Sequence, residues 1–128
     1  MSKVEIRTTI KPWGKEELWA STEAYAGKVI TIESGKRLSL QYHETKEETV
    51  LVLRGTLLVW TSEDHEQELP ERYEEGEAYH VVPGDVHRFG APASQCDKNN
   101  SKFEGCILLE VSTNHLNDVV RISDDYKR

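Results

Sequence analysis

A chain of 128 residues, 37% hydrophobic and 30% charged, is long enough to bury one core and too apolar for a disordered segment. Its net charge of −7 argues against sequence-independent DNA or RNA binding, which needs a basic surface. No apolar run nears the roughly 18 residues of a membrane span, and MSKVEIRTTIKPWG holds no apolar signal region. The two cysteines, Cys96 and Cys106, read as reduced thiols. These features lead us to expect one cytoplasmic domain, 1–128, with neither a nucleic-acid nor a membrane partner.

Residues 3–9 alternate and read as an edge strand, and KPWG at 11–14 reads as a turn. Residues 15–26 fit either a strand or a short helical turn. Strands follow at 27–33, 36–43 and 48–54, the last two joined by the polar loop ETKE. Gly55 turns the chain into a strand at 57–61. Residues 62–75 are acidic and read as a solvated loop; 77–82 form a strand ending in the Pro83-Gly84-Asp85 turn; 87–89 resume the sheet. Residues 91–105, with DKNNSK, read as a polar insertion, 106–111 as a buried strand, and 119–122 as a last one. Short strands punctuated by turns, without an amphipathic helix or an internal repeat, indicate an all-β sandwich or barrel.

The stretch from Gly35 to Gly55 concentrates the chemistry. If 37–43 is a strand, Arg37, Ser39, Gln41 and His43 share one face, and Leu38, Leu40 and Tyr42 share the other. Glu48 opens the next strand, so two neighbouring strands aim an amide, an imidazole and a carboxylate at one point. His87 is the candidate fourth donor, which gives a four-ligand divalent metal site inside a small β-barrel. The leucine face needs cover, from a second sheet or a partner copy, since burying two leucines is worth about 3–6 kcal/mol.

Gly35-x5-Gln41-x-His43-x4-Glu48-x6-Gly55 resembles the first cupin motif, with Gln41 in place of the usual first histidine. Gly76-x5-Val82-Pro83-Gly84-x2-His87 resembles the second, with Val82 at the usual proline position and Ala91 where an asparagine is common. PWG at 12–14, LSLQ at 38–41 with His43 two residues on, and DVVRISDDYKR at 118–128 are similar to the cupin domain of type II mannose-6-phosphate isomerases. The same domain forms the C-terminal part of bifunctional mannose-1-phosphate guanylyltransferases. The resemblance implies a jelly-roll barrel (a double-stranded β-helix), dimeric, with metal ligands Gln41, His43, Glu48 and His87.

The departures from that family fall on the substrate side. Where the isomerases read MHHHRAEHW after the glutamine, this chain reads YHETKEETV, so one histidine of three remains and their catalytic arginine becomes Lys46. The pair after the glutamate becomes Thr49 and Val50, and the terminal tyrosine-glycine-arginine becomes Tyr126, Lys127 and Arg128.

A divalent ion (Zn, Mn or Fe) held by two imidazoles, an amide and one carboxylate suits Lewis-acid work on a carbonyl. The expected function is a metal-binding cupin acting on a sugar or sugar phosphate, as an isomerase or epimerase. The alternatives are a non-catalytic carbohydrate or nucleotide-sugar binding cupin and an Fe(II) cupin oxygenase. Lys46 and His80 are candidate catalytic groups; Lys46 reads equally as a solvated loop lysine, and His80 as an ordinary packing residue. Arg37 is the candidate contact for an anionic group, or else half of a structural ion pair. His65 and His115 read as solvated, and Trp13, Trp19 and Trp60 as core or rim residues.

Overall fold

Among the described residues, the alternation of β-branched and polar residues is realised as eleven strands and no helix. The computed structural model describes residues 2–61, 69–93 and 105–126. The expectations for Cys96, His65, the DKNNSK stretch, Lys127 and Arg128 lie outside these residues.

The strands are β1 (Arg7–Lys11), β2 (Gly14–Ser21), β3 (Ala26–Glu33), β4 (Leu40–Tyr42), β5 (Glu48–Gly55), β6 (Leu57–Trp60), β7 (Glu71–Tyr73), β8 (Ala78–Val81), β9 (Arg88–Gly90), β10 (Gly105–Ser112) and β11 (Val120–Ser123). One layer is a six-stranded sheet in the order β1-β2-β3-β10-β5-β8. The other combines β7-β6-β9 with β11-β4, and the bridges Arg37↔Gly90 and Gln41↔His87 join β4 to β9. All the pairings are antiparallel.

Inward-facing residues follow the two-residue period of the strands. Ile30 and Ile32 of β3, Cys106 and Leu108 of β10, and Val50 and Val52 of β5 meet Leu57, Val59 and Phe89 from the opposite layer. Trp13, in the turn between β1 and β2, is buried in this core as well. Burial raises the Cys106 thiol to a pKa of about 12, so it stays protonated as a packing group. Gly55, at φ +79°, turns β5 into β6 where a Cβ would overlap the Gly105 carbonyl, so no larger residue fits.

The inner wall changes character along its length. Farther along β10 and β5 the inward positions become Glu110, Ser112 and Glu48, all buried. Lys28 lies opposite Glu110 on β3. One end of the barrel is apolar and the other carries charge.

Several boundaries differ from the sequence expectation. The first strand is Arg7–Lys11, and of the two alternatives open for residues 15–26 the strand is realised, over Gly14–Ser21. Residues expected to be loop hold β7, which pairs with β6. The expected strand 36–43 is regular only over 40–42, and Ser39 and Leu40 are both buried in spite of their alternate positions. Leu40 is fully covered within the single chain and Leu38 packs against the core, so neither needs a partner copy.

Candidate metal centre

Three elements deliver three donor atoms to the polar end of the barrel. His43 follows β4, Glu48 opens β5, and His87 precedes β9. Their ligand atoms lie within 4.8 Å of one another, and all three residues are buried. Glu48 Oε1 stands 3.6 Å from His43 Nε2 and 3.4 Å from His87 Nε2. These separations are too long for hydrogen bonds and suit neighbouring ligands around one ion.

The hydrogen bonds behind the rings fix their tautomers. His43 Nδ1 lies 2.6 Å from the Asp118 carbonyl and His87 Nδ1 lies 3.0 Å from the Asp85 carbonyl. A carbonyl only accepts, so each Nδ1 carries the proton and each Nε2 presents a lone pair. Neither Nε2 has a hydrogen-bond partner among the described residues, although both are buried. Two orphaned imidazole nitrogens facing one carboxylate oxygen fit a metal cation, and the carbonyls behind them are the usual outer support of such ligands.

Gln41 pairs with His87 through both backbone hydrogen bonds, at 3.0 and 2.9 Å, so their side chains leave the same face. Its Oε1 accepts the Ser39 hydroxyl at 2.6 Å, and Gln41 lines the same cavity as His43.

Lys46 is buried, despite its polar loop. Its Nζ lies 2.8 Å from Glu48 Oε2 and 3.5 Å from Glu110 Oε1. Burial opposes its charge, but the Glu110 and Glu48 carboxylates outweigh that and hold its pKa above the ordinary lysine value. Burial would raise Glu48 too. Its other neighbours overcome it and keep Glu48 well below the usual carboxylate range, the Glu110 carboxyl by hydrogen bonding and the Lys46 ammonium by its charge. Burial and the Glu48 charge push Glu110 the other way, with Lys46 opposing, so the pair carries a proton on Glu110.

Asp118, which the sequence reading did not single out, holds this arrangement together. Its carboxylate accepts the amides of Glu44, Thr45 and Lys46 at 3.0, 2.7 and 2.8 Å, while its carbonyl holds His43. These three amides lower its pKa to about 2. Glu110 was missed as well, being read only as part of a buried strand.

The structure does not bring Arg37 or His80 to the cluster. Arg37 makes two hydrogen bonds to Asp125, at 2.6 and 3.1 Å, and stacks over Trp60 with 5.4 Å to the ring centroid. His80 lies opposite Thr49 on the outer face of the sheet, exposed, with Nε2 2.6 Å from Glu47 Oε2. The pleat decides this, because Glu48 and its partner Val81 take the inward positions.

A cavity of about 110 Å³ opens beside the cluster, lined by Gln41, His43 and Lys46 and walled by Trp13, Leu38, Leu116 and Val119. No helix among the described residues is long and apolar enough to cross a membrane.

The family profile described as "Mannose-6-phosphate isomerase C-terminal" matches residues 2–101. The mannose-1-phosphate guanylyltransferase of Escherichia coli strain K12 is 29% identical over 124 residues, which is 95% of this chain. The chain spans only 23% of that relative's length. Among solved structures, oxalate decarboxylase from Bacillus subtilis superposes with a TM-score of 0.71 at 15% identity, over 95% of this chain and 31% of that one. KdgF from Halomonas sp. gives 0.65 at 14% identity, over 86% of each chain. These structural likenesses show the fold: an all-β double-stranded β-helix.

Proposed function

The chain belongs to the mannose-6-phosphate isomerase C-terminal family, and on that premise we propose a metal-dependent cupin acting on a sugar or sugar phosphate, as an isomerase or epimerase. The observation that carries this reading is the pair of buried, partnerless imidazole nitrogens facing one oxygen of Glu48. His43, Glu48 and His87 would hold one divalent ion (Zn, Mn or Fe(II)), with the Gln41 amide oxygen as fourth donor. An ion bound there supplies Lewis-acid polarisation of a substrate carbonyl.

The chain's own residues do the rest. Lys46 occupies Glu48 Oε2, which leaves Oε1 as the oxygen turned to the imidazoles. Lys46 also lines the cavity, so its ammonium is a candidate donor to a substrate oxygen. Held above the ordinary lysine pKa beside Glu48 and Glu110, it stays charged and serves as a hydrogen-bond donor, not as the base. That protonation favours a second reading, in which the barrel binds a carbohydrate or nucleotide sugar without turning it over. Arg37 and His80 take no part in either. We further propose that the protein works as a cytoplasmic homodimer.

Protein purified without chelator should contain about one divalent ion per chain, lost in the His43→Ala/His87→Ala double variant while circular dichroism stays that of a β protein. Full metal content in that variant would overturn the assignment. Ketose formation from an aldose phosphate, abolished by chelation, separates the catalytic reading from the binding one.

A further inference from the structure

The cavity beside the metal cluster is too small for a whole ligand. At about 110 Å³ it falls below the roughly 300–1,000 Å³ of ordinary small-molecule sites. A second cavity of about 410 Å³ adjoins it, sharing Lys11, Glu16, Lys28 and Leu116 and adding Arg7. The second cavity alone lies within that range.

The shared wall is the inner face of the sheet, continued past the barrel rim. Arg7, Thr9 and Lys11 occupy alternate positions of β1 and pair with Leu18, Glu16 and Gly14 of β2. Leu18 and Glu16 in turn pair with Lys28 and Ile30 of β3, which face inward. Arg7 and Lys11 therefore stand on one face, four residues apart, about 13 Å along the strand.

Their charges are uncompensated. Lys28 is committed to Glu16 at 3.3 Å, and Lys46 to Glu48 and Glu110. Arg7, Lys11 and Arg121 have no ion-pair partner among the described residues, although the chain has 23 acidic residues against 16 lysines and arginines. Lys11 and Arg121 flank the smaller cavity, and Lys11 and Arg7 the larger. Glu16 and Asp118 line these cavities too, but Glu16 is paired with Lys28 and Asp118 accepts three backbone amides, so in a protein of net charge −7 the lining of the connected groove is net positive and suits an anion.

We infer that the groove beyond the metal cluster is an anion-binding subsite. It takes the phosphoryl or carboxylate group of a sugar derivative whose other end reaches His43 and Gln41. The inference rests on the sugar reading above for the near end of the ligand, but the subsite is defined by its cations, chiefly Arg7 and Lys11. It assigns the preference for a charged substrate to residues outside both sequence motifs.

The test is calorimetric titration of metal-loaded protein with mannose, mannose 6-phosphate, mannuronate and inorganic phosphate. We expect mannose 6-phosphate or mannuronate to bind at least about tenfold more tightly than mannose, and whichever does so identifies the anion. The gap should narrow as NaCl rises from about 50 to about 500 mM. It should close in Arg7→Gln/Lys11→Gln and persist in Lys3→Gln/Lys15→Gln, which changes net charge equally away from the groove. Equal binding of all three sugars, an undiminished gap in Arg7→Gln/Lys11→Gln, or the same loss in the control pair overturns the subsite. If inorganic phosphate binds the parent protein but not Arg7→Gln/Lys11→Gln, and no sugar binds, the subsite stands and the sugar reading falls. Arg7 is exposed at the sheet edge, so matching unfolding temperatures should show that the variants fold.

Discussion

Asp118 shows how one side chain can govern a site it does not enter. Three consecutive amides on its carboxylate set the path of residues 44–46, and that path carries Lys46 into the barrel. Its native pKa, about 2, lies below the ordinary aspartate value. The sign follows: the stability it adds is fully present above about pH 4 and is lost as pH falls through about 2. In chelated protein, Asp118→Asn should unfold at a lower temperature than the parent near neutral pH, and the two curves should converge near pH 2. A difference that stays constant between pH 5 and pH 2 would show that the carboxylate charge is not what orders the loop. The sequence hid these roles for a physical reason. Lys46 sits among Glu44, Glu47 and Glu48 and reads as a solvated lysine; its burial comes from Glu110, 64 positions away in the chain. The outward direction of His80 has a more local cause, because one residue of register decides whether a strand side chain faces the cavity or the outside.

At the scale of elements, β10 is the member on which the large sheet depends, since it pairs with β3 on one side and β5 on the other. Leu108 lies at its centre, fully buried between Ile30 and Val52 as its cross-strand partners. Leu108→Ala should cost about 2–5 kcal/mol in denaturant unfolding, with metal content at saturating ion unchanged. A cost within experimental error of zero would mean that the sheet does not pack as described. Much of this layer was legible beforehand, since 27–33, 48–54 and 106–111 carry the alternation or apolar run of core strands. β7 was not legible, because ERY lies in an acidic stretch and becomes a strand only by pairing with β6. β4 was overextended for the opposite reason: alternation in 37–43 is clear in sequence, but the chain keeps regular pairing only at 40–42.

On the scale of the whole molecule, the outer face of the six-stranded sheet is unusually apolar. Leu53, Val111, Trp19 and Ile10 are exposed there, and Leu51, Ile107 and Leu109 are only partly covered. Exposed apolar side chains grouped on one sheet face are a common feature of protein interfaces, and this face supports the proposed homodimer. Sedimentation at micromolar concentration should give twice the 14.7 kDa chain mass, and Leu53→Glu/Val111→Glu should give a folded monomer. A parent protein that sediments as a monomer would remove this proposal without touching the metal centre.

The donor set of that centre has an origin that matters for the barrel itself. Glu48 belongs to the six-stranded layer, whereas His43, His87 and Gln41 belong to the facing one. A cation gripped by all of them acts as a rivet through two plates. The free energy of holding it is then also free energy opposing their separation. Losing such an ion would then loosen the barrel as well, and the supply of metal would set how firmly the two halves stay shut.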